Sequence, residues 1–178
     1  MLIYSATFLF CLIVAPLLAH LRDWEPAGLF FAAAAVYAGF GAVSYAQLQI
    51  GLTQVRESGP SLHDTSYVVS HGYFVFHLGI AMAVLGAITW IQARFEALLY
   101  PTLTKVLFWV LHIAWIGGTV GRRILALALP MPRRYIDYPD YMEILVLTDA
   151  WSAFLSIAAL IGLLCVLLWS ITARWLAR

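Results

Sequence analysis

The sequence predicts an all-α integral membrane protein, a bundle of about five transmembrane helices with the N-terminus periplasmic and the C-terminus cytoplasmic. Three observations lead there. Of the 178 residues, 63% are hydrophobic and only 11% charged, with a mean hydropathy of +0.90. A soluble domain of this size cannot hide that much apolar surface, so lipid is the remaining solvent. Five stretches, about 2–20, 27–49, 65–93, 104–129 and 145–173, approach or exceed the roughly 20 mainly apolar residues that cross a bilayer. Short polar segments separate them, and no repeat or low-complexity tract divides the chain, which reads as one domain over 1–178.

The first stretch, MLIYSATFLFCLIVAPLLAH, lacks the basic start and clean cleavage site of a secretory leader and reads as a retained span. A polar turn with His20, Arg22, Asp23, Glu25 and Pro26 leads to the second span. A longer loop over 51–64, with Gly51, Arg56, Glu57, Gly59 and Pro60, precedes the third. Gly72, Gly79 and Gly86 recur every seven residues along that span, and Gly117 and Gly121 form a G-x-x-x-G on the fourth. Small-residue stripes let helix backbones approach closely in lipid. Ordinary helix packing is the first expectation for them, and a flat cofactor or a second copy of the chain the other. Residues 94–104 carry Arg94, Glu96 and Pro101, while 130–142 are rich in proline, arginine and tyrosine.

Basic residues set the predicted orientation. Arg22, Arg94, Lys105, Arg174 and Arg178 gather on one side, and Arg56, Arg133 and Arg134 on the other. The first set is expected to be cytoplasmic. A net charge of +1 gives no electrostatic basis for binding nucleic acid or an acidic partner. Cys11 and Cys165 lie inside apolar runs and are expected to pack rather than pair.

Polar groups inside spans are costly and therefore mark function. They are His71, His77, His112, Arg122, Arg123 and Asp149, with His63 and Asp64 at the mouth of the third span. One membrane histidine can be structural; three on two successive helices point toward a metal or heme, for which imidazole is a common axial ligand. By helical rise His71 lies roughly 12 Å below His63 and His112 roughly 25 Å from the outer end of its helix, so these two are not expected to share an iron. His77 lies between them in depth and forms a weaker second pair with His112. Arg122, Arg123, Arg133 and Arg134 place four guanidiniums near one face. Heme propionates would suit their fork geometry, and lipid phosphates would suit it too.

Two segments carry a resemblance. His63-Asp64-Thr65-Ser66-Tyr67-Val68-Val69-Ser70-His71 resembles the H-D-T-x-Y-V-V-A-H signature of the heme–copper oxidase catalytic subunit, cytochrome c oxidase subunit I. Met131-Pro132-Arg133-Arg134-Tyr135-Ile136-Asp137-Tyr138-Pro139-Asp140 resembles the M-P-R-R-Y-x-D-Y-P-D stretch of the same subunit. The resemblance covers about residue 61 to the C-terminus, with the first two spans corresponding by position to helices eight and nine of a twelve-helix subunit. It implies that His71 is the proximal ligand of the oxygen-binding heme. It further implies that His63 and Asp64 lie near the propionates and a divalent metal, and that Arg133 and Arg134 clamp propionates.

Departures from the pattern narrow what the resemblance implies. The family reads H-x-H where this chain has His71-Gly72-Tyr73, so its low-spin heme is expected to be absent or held differently. The helices that supply the copper ligands have no counterpart, and complete oxygen reduction by this chain alone is not expected. The resemblance therefore implies a heme-binding protein of the bacterial inner membrane, b-type heme being favoured, with a role in electron transfer, gas binding or sensing. A homodimer could close over the exposed faces. The alternative is a non-catalytic assembly or accessory subunit of a respiratory oxidase complex. A copper-handling protein using His63, Asp64 and His71 is disfavoured by the scarcity of Met and Cys.

Overall fold

A computed structural model of the chain describes the backbone of residues 2–58, 65–121, 125 and 138–176. Within these it describes the side chains of 6–47, 50, 73–121, 125 and 142–176. The elements run α1 (Leu2–Leu21), α2 (Pro26–Ser58), α3 (Thr65–Arg94), α4 (Pro101–Ile116), a wider π-helical turn (Gly117–Gly121) and α5 (Tyr138–Leu176). No strand occurs among the described residues. Four apolar segments are long enough to cross a membrane: Pro26–Gln47, Tyr73–Arg94, Pro101–Gly121 and Met142–Leu176; the apolar part of α1, Ala6–Leu21, is shorter. Helices are the expected solution, because hydrocarbon offers no partner to a backbone N–H or C=O. The chain is a multi-pass membrane protein.

Two helices outrun their expected spans. α2 continues through Ser58, so most of the 51–64 segment expected to be a loop is helical. The fall in hydrophobicity near Gln47 marks where apolar sequence ends; the residues beyond it, such as Gln54, Arg56 and Glu57, are good helix formers in water. α5 begins at Tyr138 rather than near 145, with Pro139 in its first turn, where a missing N–H costs nothing.

The turns after α1 and α3 share one construction. The Trp24 N–H donates to the Ala19 carbonyl (3.1 Å) and the Asp23 N–H to that of His20 (3.0 Å). After α3, the Ala97 N–H donates to Gln92 (2.7 Å) and the Glu96 N–H to Ala93 (3.0 Å). This is the Schellman arrangement, which satisfies terminal carbonyls at the cost of one left-handed residue. Here Asp23 (φ 54°) and Glu96 (φ 52°) occupy that position, where glycine is usual. Pro26 and Pro101 then open the next helices.

The described chain forms two compact units, Ala6–Ile88 and Thr89–Arg178 with Met1–Ser5. In the first, Phe8 of α1 meets Tyr37 edge-on (6.1 Å) and Phe40 (4.7 Å) of α2. α2 and α3 touch backbone to backbone. A Cβ on Gly79 would lie 2.5 Å from the Ala38 nitrogen, one on Gly41 2.6 Å from the Phe76 Cα, and one on Gly86 3.1 Å from Phe30 and Phe31. Gly79 and Gly86 thus perform the packing expected of their stripe. The side chain position of Gly72 lies outside the described residues.

In the second unit, Ser152 of α5 donates from Oγ to the Ala114 carbonyl (2.6 Å), at the junction of α4 with the π turn. A Cβ on Gly118 would lie 2.5 Å from that same Oγ. The expected G-x-x-x-G pair does not make this contact: a Cβ on Gly117 meets nothing within 4 Å, and one on Gly121 only the nearby Ile116 carbonyl oxygen, at 3.6 Å. Gly118, between them, is the glycine of this stretch that lies against α5. Farther along, Gln92 Nε2 donates to the Leu167 carbonyl (3.1 Å) and the Leu99 N–H to Ser170 Oγ (3.4 Å). Gln92 Oε1 is buried with no partner among the described residues. The outward surface of α5 exposes Trp151, Phe154, Ile161, Leu168, Trp169 and Trp175, and Cys165 is exposed as well.

These contacts make two predictions. Gly79→Val should lower the thermal midpoint of the detergent-solubilised protein, read by far-UV circular dichroism, by an amount equivalent to at least ~1–3 kcal/mol of overpacking. Gly39→Ala, at a position with nothing within 4 Å, should leave the midpoint unchanged or raise it. At the second Schellman turn, Glu96→Gly should raise the midpoint by the equivalent of up to ~1 kcal/mol and Glu96→Val should lower it, since a β-branched residue resists positive φ.

Candidate functional site

α3 is one uninterrupted helix over Thr65–Arg94, and it carries both His71 and His77. The side chain of His71 lies outside the described residues. Along an ideal helix the two are about 9 Å apart and turned about 120° from one another. Tyr73 and His77, four residues apart, share a face. Ile80 and Val84 continue it at the next turns, and all four are exposed.

His77 is held in a defined orientation. Its Nδ1 lies 2.8 Å from the Tyr73 carbonyl oxygen. A carbonyl only accepts, so Nδ1 carries the proton and donates it. Its ring sits 4.0 Å from the Tyr73 ring, tilted by 50°, and 6.1 Å from Phe76, edge-on. Nε2 of the neutral imidazole is left as the acceptor.

His112 is placed quite differently. It is fully buried, stacked on Phe108 at 5.3 Å with 13° between planes and edge-on to Trp109 at 5.9 Å. Its own helix supplies both aromatic neighbours. The imidazole is thus enclosed, with an aromatic ring against its face and another at its edge.

The other residues singled out by sequence, His63, Asp64, Arg122, Arg123, Arg133 and Arg134, lie outside the described residues. Among the described residues no group of three or more His, Cys, Asp or Glu side chains is placed to hold a metal ion. Asp149 is half-buried on α5.

The family model described as "Cytochrome C and Quinol oxidase polypeptide I" matches residues 1–161 of this chain. The chain belongs to that family. The match reaches the first residue, so the relationship includes the two N-terminal helices as well as the region of the two signature segments. Relatives in this polypeptide I family include cytochrome c oxidase subunit 1 of Albinaria turrita, 33% identical over 128 residues, covering 60% of this chain and 65% of that sequence. The corresponding subunit of Cereibacter sphaeroides is 31% identical over 111 residues, covering 62% of this chain but 19% of its own length. That of Candida albicans is 33% identical over 123 residues, covering 66% and 23%. The chain therefore spans less than two thirds of each of these relatives. No solved structure matches it.

Sequence reasoning named His77 but did not see that it shares a face with Tyr73, although the spacing of four contains that information. It missed the Gly118–Ser152 contact entirely, because nothing local in the sequence links residues 34 positions apart. His112→Ala should lower thermal stability by ~2–4 kcal/mol through the cavity it opens. It should leave any bound cofactor's absorption spectrum unchanged, and a spectral loss at preserved stability would refute the packing role.

Proposed function

We propose that this polypeptide I relative is a membrane heme-binding protein, holding a b-type or related heme through His71. The observation that supports this most is the signature ending in His71 on an unbroken membrane helix, in a chain whose family membership covers residues 1–161. Arg133 and Arg134, with Arg122 and Arg123, supply forked donors for the two propionates, and His63 and Asp64 complete that end, with a divalent metal as their further ligand. The donor set fits: neutral imidazole suits iron, and guanidinium suits carboxylate. In this reading the signature loops face the periplasm of a bacterial inner membrane.

Bound heme would supply one-electron redox chemistry or reversible gas binding. The chain's own residues anchor the iron, neutralise the propionates and exclude water with the exposed apolar faces of the helices. The role that this reading favours is electron transfer, gas binding or sensing. A homodimer would cover faces that one chain leaves open.

The protein, purified in mild detergent, should show a Soret band in oxidised and dithionite-reduced spectra. His71→Ala should remove half or more of the heme measured as pyridine hemochrome. Arg133→Ala together with Arg134→Ala should weaken retention on dilution while the ligand bands persist. A wild-type protein with no Soret band after growth with heme precursor would defeat the heme reading. It would favour instead a non-catalytic accessory subunit, recognisable by copurifying oxidase chains.

A further inference from the structure

Three helices of the second unit have an end in common. The hydrogen bonds from Gln92 Nε2 to the Leu167 carbonyl (3.1 Å) and from the Leu99 N–H to Ser170 Oγ (3.4 Å) tie the end of α3, and the turn that leads into α4, to the last three turns of α5. Arg94 lies two residues beyond Gln92, Lys105 one turn inside α4, and Arg174 one turn beyond Ser170. The described arginine and lysine side chains of this unit therefore gather at one end of it. Arg94 is exposed, and Lys105 and Arg174 are half-buried. Glu96 is the acidic neighbour there among the described residues, so three positive charges face one negative. Glu143 and Asp149 stand about seven turns or more from Arg174 along α5. Aromatic rings flank the charges: Trp90, Phe95, Tyr100 and Trp175 are all exposed. The apolar segments Tyr73–Arg94 and Met142–Leu176 stop here, and Pro101–Gly121 starts here, so the cluster stands where hydrocarbon gives way to headgroups. Indole and phenol rings favour that boundary, and long basic side chains reach it along their apolar stems.

We propose that this end of the second unit is a docking surface for anionic phospholipid headgroups, with Arg94, Lys105 and Arg174 recognising their charge. The inference is independent of any heme. Every phospholipid offers a phosphate, but in a zwitterionic headgroup such as phosphatidylcholine a tethered cation cancels its charge. An excess of basic side chains therefore favours lipid that keeps a net negative charge. The planar fork of arginine suits the two free oxygens of a phosphodiester. A soluble anion meets the same guanidiniums without touching the rings, whereas a lipid lays its glycerol and upper acyl carbons against Trp90, Phe95, Tyr100 and Trp175. Each basic side chain near an anionic surface strengthens association about fivefold at physiological ionic strength, so three opposed by one carboxylate predict a preference on the order of tenfold.

The test reconstitutes the full chain into phosphatidylcholine vesicles in which a fixed fraction of the lipid is either brominated phosphatidylglycerol or brominated phosphatidylcholine. Quenching of tryptophan fluorescence then reports the relative affinity of the protein for the two lipids. Wild type should prefer phosphatidylglycerol by about tenfold, and most of that preference should vanish in about 1 M NaCl, where charge is screened within a few ångströms. The Arg94→Gln/Lys105→Gln/Arg174→Gln variant should bind the two lipids almost equally. Arg94→Lys/Arg174→Lys, which keeps the charge and loses the fork, should retain the preference in large part. Should the triple variant fail to fold by far-UV circular dichroism, Arg94→Gln and Arg174→Gln decide singly, each with an expected loss of about fivefold. Equal affinity for both lipids in the wild type, or an undiminished preference in the glutamine variants, would overturn the inference. So would a preference abolished by inorganic phosphate but not by NaCl of the same ionic strength, which would mark a site for a soluble anion instead.

Discussion

Close approach of α2 and α3 is the constraint on which the candidate site depends. Hydrocarbon forces each spanning segment to satisfy its own backbone as a helix, so the remaining freedom is how near two helices come and which faces they turn to each other. At Gly41 and Gly79 the answer is contact of backbone with backbone. A side chain at either position would push the pair apart. Because Phe76 and Gly79 face α2, the turns bearing Tyr73, His77, Ile80 and Val84 face elsewhere and remain exposed. The outward orientation of His77 thus follows from glycines that carry no chemistry.

Much of the architecture was legible from composition and spacing. The number and rough placement of apolar segments, the turns at Asp23 and Glu96, and the packing role of Gly79 and Gly86 all follow from local rules of hydropathy and residue size. Helix ends were less legible, since α2 continues to Ser58 on helix propensity alone after its apolar run stops. The π turn was not legible. Its consequence, that Gly118 rather than Gly117 or Gly121 receives Ser152, depends on a hydroxyl that long-range packing brings to the Ala114 carbonyl. For the candidate site, the sequence placed three histidines on two helices. It could not separate the stacked, enclosed His112 from the exposed His77, because the difference lies in which face a neighbouring helix covers.

Membership of the polypeptide I family gives these features a setting without transferring a whole enzyme to this chain, which spans less than two thirds of the relatives described. The departure at Tyr73 is central to that setting. Its backbone carbonyl accepts from His77 Nδ1, four residues along α3, and its ring lies tilted against that imidazole.

The exposed tryptophans of α5 act as a ruler for depth. Indole rings settle at the boundary between headgroups and acyl chains. Trp151 and Trp169 are separated by 18 positions, or about 27 Å of helix, close to the thickness of the acyl region. Were Trp151 and Trp169 to lie at the two boundaries, the acyl slab would extend between them. The opening three turns of α5, including Glu143, Thr148 and Asp149, would then stand in the headgroup layer. There a carboxylate keeps its hydration, which lowers the cost of carrying Asp149 on an otherwise apolar helix.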